Sequence, residues 1–422
     1  MPFLAWSRFL NTAPDASAEQ PVWAREVARV SALRPVHEAV NWLRSHEREI
    51  AEFQMNVSRI PAPPFHEAER CAWFCERMRE LGYSAELDGI GNVIVPRPGS
   101  DEQGPAVAVT AHLDTVFPRD LEVNIWRDQT RLYGPGISDN GAGLAALWAV
   151  AAALQQSGIQ TRSPLMLVGN VGEEGDGDLR GMRYLFADER WRERISQVLV
   201  LDGSGVDLVV TEGLGSRRFE VRISGPGGHS WSDFGIPNPI LAAARAIATL
   251  GNIALPLEPK TTISVGTIEG GTSVNAIPES VRVRVDIRSA EPEQIERMEL
   301  ELRRAFTDAA NQTSAEARTT RKSLLLEISV VGDRPAAALR PNAPILLALR
   351  AVDAQLGISA KPQRASTDAN IPLSLGIDAL AIGGGGYGGG AHTASEWFEP
   401  AAREQALRRI LLVLLSLAGM EE

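Results

Sequence analysis

Ala106-Val-Ala-Val-Thr-Ala-His-Leu-Asp114 decides how this chain is read. The run Ala106–Thr110 is a short block of apolar and β-branched side chains, the pattern of a strand buried on both faces. It leads straight into His112 and Asp114. Along an extended backbone, residues two apart share a face, so the imidazole and the carboxylate leave the strand end together. Two further apolar runs end in the same way: Leu165–Gly169 leads to Glu173-Glu174, and Gln197–Leu201 leads to Asp202. Between them, the Ala/Leu-rich stretch Gly141–Leu154 reads as a helix. Apolar strands separated by helices predict an α/β fold, a mostly parallel mixed sheet sandwiched by helices. In such sheets ligands bind beyond the carboxyl ends of the strands, where these acids and this histidine lie.

Upstream, residues 1–35 carry mixed signals and read as a loosely specified N-terminal extension. From Pro35 to Glu80 the apolar residues recur at helical spacing, broken by the rigid segment Ile60-Pro-Ala-Pro-Pro-Phe65. Ala85–Leu87 and Asn92–Pro96 read as strands. Downstream of Asp202 the pattern changes. Arg217–Ile223, Thr262–Ile268, Val281–Arg288 and Leu324–Val331 read as strands, and Pro239–Leu250 and Pro292–Ala310 as helices. The order β-α-β-β-α-β is that of a ferredoxin-like α+β unit, here inserted into the first domain. The predicted division is 1–213 for the first part of the principal domain, 214–332 for the insert and 333–422 for the second part.

Composition excludes several function classes. Of 422 residues, 53 are acidic and 42 basic, a formal net charge of −11, and no Lys/Arg cluster stands out as a nucleic-acid footprint. The lysines are Lys260, Lys322 and Lys361; none follows a glycine, so there is no GxxxxGK[ST] phosphate loop. Cys71 and Cys75 match neither a CxxC redox pair nor a zinc ribbon, and read as buried free thiols in a reducing compartment. The start, MPFLAWSRFLNT, lacks a basic n-region followed by a long apolar stretch and does not read as a secretory signal, and Ile410–Ala418 is too short to span a bilayer and reads as a core helix. The expectation is a cytoplasmic protein that engages neither nucleic acid nor membrane.

Three more motifs join the strand-end acids. Gly134-Pro-Gly-Ile-Ser-Asp139-Asn-Gly-Ala-Gly143 is a glycine-dense loop ahead of a helix, and Gly383–Gly390, broken only by Tyr387, leads to His392. Gly225-Pro-Gly-Gly-His229-Ser lies in the insert. Each has a plain structural explanation: a surface turn for His112 and Asp114, a helix cap for Asp139, a solvated side chain for His229. Adjacent acids at Glu173 and Glu174 are harder to dismiss. Side by side at a buried strand end they repel, and need either a solvated loop or a metal. Taken together, imidazoles and carboxylates without thiolates suit Zn²⁺, Mn²⁺ or Co²⁺.

At these residues the sequence resembles the dinuclear-zinc metallopeptidase and amidohydrolase family of bacterial glutamate carboxypeptidase, peptidase T, acetylornithine deacetylase, succinyl-diaminopimelate desuccinylase and aminoacylase. The likeness runs from about Ala51 to Leu415, and Ser366-Thr-Asp368-Ala-Asn and the Gly/Tyr loop look most like the peptidase T-like branch. The resemblance implies two divalent ions, zinc first, with manganese or cobalt as alternatives. His112, Asp139 and Asp202 would meet one or both ions, with Asp139 bridging; Glu174 and His392 would hold the second. Glu173 would be the general base, and Asp114 would orient His112. The principal domain would be catalytic and the insert a lid and dimerisation domain, whose His229 reaches the neighbouring subunit's active site. Asn275 and Arg288 match substrate-contacting positions, although Arg288 equally suits a surface ion pair with Asp286 or Glu291. Trp231, Arg364 and Tyr387 would shape the pocket, for an aromatic or anionic small-molecule substrate.

The implied reaction is cleavage of an amide or peptide C–N bond through a metal-bridging hydroxide. The alternatives are a hydrolytic deaminase or deacylase of a non-peptide molecule on the same scaffold, and a non-catalytic metal-dependent binding protein. A homodimer through the lid, or a higher oligomer, is the expected assembly.

Overall fold

The computed structural model describes residues 16–318 and 323–421. Every residue of the strand Ala106–His112 is buried, as its composition requires, and it runs parallel to Leu165–Asn170 on one side and Ile195–Leu201 on the other. Asp378–Ile382 continues the parallel set beside Ile195–Leu201. Antiparallel strands then close both flanks, Val93–Arg97 and Glu86–Leu87 at one edge, Leu208–Gly213 and Ala337–Ala338 at the other. Lys361–Ala365 lies parallel to Leu208–Gly213. The result is the expected mixed sheet. Gly141–Gln156 packs on its central strands, and its Leu144–Leu154 stretch is buried all round, which explains why it shows no polar face in the sequence.

After Gly213 the chain leaves this sheet. Gly215–Ser224, Pro239–Gly251, Thr261–Gly270, Ser280–Ser289, Pro292–Ala315 and Leu325–Arg334 follow in β-α-β-β-α-β order. The four strands form one antiparallel sheet with Ser280–Ser289 and Gly215–Ser224 in the middle. The period-2 signal has a direct cause. In Ser280–Ser289, Val281, Val283, Val285 and Ile287 face the two helices, while Arg282 and Arg284 face solvent. This unit has a core of its own, built around Phe219, Val221, Met298 and Phe306.

One expectation needs correcting. Residues 1–15 lie outside the described residues, but 16–35 are no loose extension. Ala16–Ala32 is a helix that lays Val27 and Val30, both fully buried, against Pro344–Leu356 and Arg403–Ala418. Pro21 and a sparse apolar stripe hide it in the sequence, and the helices that cover it come from the other end of the chain.

The C-terminal helix Arg403–Ala418 is a core helix, but it buries charge as well as apolar surface. Arg409 makes a two-pronged ion pair with Asp353, at 2.6 and 2.7 Å, and also donates to the carbonyls of Val206 and Leu208. It thereby ties two helices to the chain entering strand Leu208–Gly213. Arg409→Met would leave Asp353 buried and unpaired, which typically costs about 3–5 kcal/mol. Burial already pushes the Asp353 carboxyl up, so it can neutralise, and the loss is expected near the lower end. Urea denaturation of the two proteins checks this; an unchanged midpoint would remove the pair from the fold's support.

Candidate metal centre

Three neighbouring parallel strands deliver their ends to one place. His112 is the last residue of its strand, Asp202 follows Leu201, and Glu173 and Glu174 follow Leu165–Asn170. Asp139 arrives from the loop before the helix Gly141–Gln156. The residue that caps this helix is its neighbour: Asn140 Oδ1 accepts from Gly143 N at 3.1 Å and Gly203 N at 3.0 Å, and its amide donates to the Leu201 carbonyl. Asp139 is therefore free of the capping duty its sequence position suggests. His392 comes off the glycine run. That run is glycine because the backbone passes so close to its neighbours: a Cβ on Gly384 would stand 2.6 Å from the Ala142 carbonyl, and one on Gly388 2.3 Å from Ser204 Oγ. His392 itself has φ 65°, an uncommon left-handed conformation for a residue with a side chain.

The five implied ligands converge. His112 Nε2 lies 3.2 Å from Asp139 Oδ1 and 3.8 Å from Asp202 Oδ1. His392 Nε2 lies 3.1 Å from Asp139 Oδ2 and 3.2 Å from Glu174 Oε1. One ligand atom each from His112, Asp139 and Glu174 fits within 4.8 Å of the others. Asp139 thus turns one oxygen to each histidine. Its Oδ1 is buried, and its approach to His112 lacks the alignment of a hydrogen bond. A buried carboxylate oxygen without a donor, 3.2 Å from an imidazole nitrogen and grouped with Glu174, suits divalent cations that His112, Asp139 and Glu174 would hold, with Asp202 and His392 beside them.

Several supports of this cluster are not legible in the sequence. The ring Nδ1 of His112 meets the main-chain carbonyl of Asp114 at 3.1 Å, while the Asp114 carboxylate stays 3.7 Å away. That carboxylate instead accepts the main-chain N–H groups of Glu173 and Glu174, at 2.9 and 2.7 Å. It still fixes the ring, through its backbone, and also pins the acidic loop. Glu396, fully buried, accepts the N–H groups of Gly136, Ser138 and Asp139 at 2.9, 2.7 and 2.7 Å, and so clamps the Asp139 loop to the segment carrying His392. Asp368 is also fully buried and accepts from Asn170 Nδ2 at 2.7 Å. Arg334 Nη1 lies 2.9 Å from Glu173 Oε1. The motif Ser366–Asn370 carries a weak signal for Asp368; Glu396 and Arg334 carry none.

The electrostatics follow from burial and neighbours. Burial opposes a charge on His112, but Asp114, Asp139 and Asp202 outweigh it and raise its pKa well above the usual range. The carboxylates of Asp139 and Glu174 raise His392 to about 10. Burial alone would raise Asp139; the two histidines reverse this and hold it below the usual carboxylate range. Burial pushes Glu173 well up, against the pull of Arg334, and lifts both Asp368 and Glu396 to about 7.

The implied substrate residues gather elsewhere. His229 and Asn275 lie together on the insert, on a two-stranded ribbon in which Gly228–His229 pairs with Ala276–Ile277. The Asn275 carbonyl accepts from Ser230 N, and Trp231 is 87% exposed. The bonds of His229 are local: its N–H donates to Asp233 Oδ2, and its Nδ1 accepts from Trp231 N. Arg288 takes the ion-pair option, 2.6 Å from Asp286. Arg364 is held by Glu212 at the sheet edge, and Tyr387 stands half-exposed on the glycine-rich strand Tyr387–Gly389. Within one chain these residues are not joined to the histidine–carboxylate cluster by any hydrogen bond or ion pair seen among the described residues.

Residues 108–418 match peptidase family M20/M25/M40. The chain belongs to that family. A probable carboxypeptidase of Aspergillus clavatus is 29% identical over 265 residues, 57% of this chain and 58% of that protein, so the match spans less than two thirds of its length. Aminopeptidase PepT of Bacillus cereus superposes with a TM-score of 0.69 at 20% identity, over 88% of this chain and 99% of that one. YXEP of Bacillus subtilis, a dinuclear metal binding peptidase, does so at 0.63 and 17%, over 90% and 100%. At such identities the likeness is one of fold. M20 is a family of peptidases, enzymes whose reaction is hydrolysis of a C–N bond. No described helix is long and apolar enough to cross a membrane.

Metal uptake by this M20 chain has a proton cost with a definite sign. The carboxylates raise His112 and His392, so in the metal-free protein both hold protons that a cation must displace. Loading Zn²⁺ or Mn²⁺ is expected to release protons, and the apparent affinity to weaken steadily as pH falls from about 8 to about 6. Titration calorimetry in buffers of different ionisation enthalpy reads both. A pH-independent affinity with no proton release would contradict the assignment of these histidines.

Proposed function

We propose that this M20-family chain hydrolyses an amide or peptide C–N bond of a small substrate, with two divalent ions at His112, Asp139, Glu174, Asp202 and His392 and with Glu173 as general base. One observation carries the reading. Of two adjacent acids on one loop, Glu174 touches the histidine–carboxylate cluster, whereas Glu173 stands beside it with its carboxylate turned to Arg334. One acid is thus available as a ligand and the other for proton transfer. The ions, zinc first and manganese or cobalt as alternatives, would supply the Lewis acidity that makes water nucleophilic at neutral pH and polarises the scissile carbonyl.

The chain's own residues would do the rest. Glu173 would take the proton of the attacking water and pass it to the leaving amine. Asp139, which turns one oxygen toward each histidine, would help hold the ions. Because its Nδ1 accepts a main-chain N–H, His229 keeps Nε2–H as a donor, the form suited to stabilising an oxyanion. That donor belongs to a ribbon with exposed Trp231 and Val274 beside it, an apolar surface that favours a homodimer in which the lid of one subunit serves the site of the other. Asn275 and Arg288 of the lid, with Trp231, Arg364 and Tyr387, would contact the substrate; Arg288 would share its guanidinium between Asp286 and a substrate carboxylate. The buried thiols Cys71 and Cys75 favour residence in the cytoplasm.

Glu173→Gln is expected to keep its metal content, read by elemental analysis, and to lose about 10²- to 10⁴-fold in kcat on dipeptides, tripeptides or N-acyl amino acids. Turnover close to wild type in that variant would remove Glu173 from the chemistry. The lid exchange has a separate check. Mixing inactive His229→Ala with inactive Glu173→Gln subunits is expected to restore about a quarter of wild-type activity, since half the subunits pair across types and each such pair holds one intact site. No recovery on mixing, or a monomer in sedimentation velocity, would count against the shared site.

A further inference from the structure

Arg334 is the last residue of the insert strand Leu325–Arg334, yet its side chain is buried in the other domain's business. Nη1 lies 2.9 Å from Glu173 Oε1 and 3.2 Å from Ser366 Oγ, and Nη2 donates to the main-chain carbonyl of the same Glu173. Two nitrogens of one planar fork therefore hold both the carboxylate and the backbone of a single residue, which leaves that side chain little rotamer freedom. The third guanidinium nitrogen, Nε, is buried without a partner, so the fork is oriented for Glu173 at its own expense.

The neighbours of Arg334 bind the same loop. Asp333 N–H donates to both oxygens of Asp178, at 3.0 and 3.1 Å, and Arg183 donates to the Asp333 carbonyl. From the adjacent insert strand, Arg218 Nη1 donates to the Gly175 carbonyl at 2.5 Å. The stretch 173–183 thus hangs on two strand ends of the insert, at the point where that unit joins the principal domain.

We propose that Arg334 is a positioning residue for the reaction: it holds the Glu173 carboxylate beside the metal cluster, so that the seat of the inserted unit dictates where the base stands. This rests on the reading of Glu173 as general base. A substrate-carboxylate site is the other use to which an active-site arginine is put, but here Glu173 and Ser366 already occupy the fork, and only 5% of the residue is exposed.

The test compares Arg334→Met and Arg334→Lys with wild type in the full-length, metal-loaded protein, and by amide hydrogen exchange in the metal-free protein. Outer-shell partners of this kind typically contribute about 10- to 100-fold, so Met is expected to lower kcat by that factor with KM and metal content little changed. Lys, which keeps the charge and one line of donation, is expected to recover part of that loss. Amides of residues 172–183 are expected to exchange faster in Arg334→Met, while those of the strand Ala106–His112 stay protected.

Any of the following results would overturn the proposal. The first is kcat within about 2-fold of wild type in Arg334→Met. The second is a raised KM at unchanged kcat, which would make Arg334 a substrate contact. The third is unchanged exchange at 172–183, or a general loss of stability and metal in which Lys is no better than Met. If the wild type cleaves no amide at all, the hydrolase reading fails, and the exchange measurement still decides whether Arg334 fixes the Glu173 loop.

Discussion

Asp114, Asp139, Glu173, Glu174, Asp202 and Asp368 crowd around the ends of neighbouring strands, and like charges at such separations repel strongly once water is removed. Everything near the site can be understood as a way of holding that crowd in place. Asp114 is steadied by two main-chain N–H groups, Glu396 by three, Glu173 by a guanidinium, and Asp139 and Glu174 by imidazoles. Asp368 has a single amide donor, and burial pushes it up to about 7, as it does Glu396. Two divalent cations would supply the positive charge that the protein's own donors do not.

The same constraint explains why the cluster sits where it does. Parallel strands end side by side, and each of the three central ones contributes at least one acid or histidine at or just beyond its carboxyl end. The stretches before those ends, Val107–Val109, Leu165–Val168 and Val198–Leu201, are apolar and buried. The glycine run before His392 belongs to this logic. It lets a backbone lie against the first turn of Gly141–Gln156 and the 203–205 loop, at distances where any Cβ would collide, and so brings His392 across to Asp139. The inserted unit is joined to this arrangement through its strands Leu325–Arg334 and Gly215–Ser224 rather than through its ribbon. Arg334 and Arg218 meet the 173–178 loop, whereas His229, Trp231 and Asn275 face outward on the far part of the insert.

Much of the architecture was legible because burial leaves a periodic trace. The central strands read as unbroken apolar runs, the insert strands as alternation, and their boundaries moved by only a few residues between expectation and structure, as in Arg217–Ile223 against Gly215–Ser224. The helix Ala16–Ala32 was missed because its stripe is sparse and its partners are distant in the chain. The family motifs around His112, Asp139, Glu173, Asp202 and His392 were legible as residue types in a local setting. Their supports were not. Glu396 and Arg334 look like ordinary charged residues in sequence, and only their burial against particular N–H and carboxylate groups distinguishes them.

The sequence by itself therefore determined which elements form and which chemical groups stand at strand ends, because hydrophobic periodicity and local motif are properties of neighbouring residues. Tertiary structure alone decided how those groups are used. Asn140 rather than Asp139 caps the helix, Asp114 spends its carboxylate on the acidic loop and only its backbone on His112, and an arginine at the end of an insert strand holds Glu173. Each of these choices turns on a hydrogen bond between segments far apart in the chain. Such a bond has a direction and a length of about 3 Å, and no one-dimensional pattern records either.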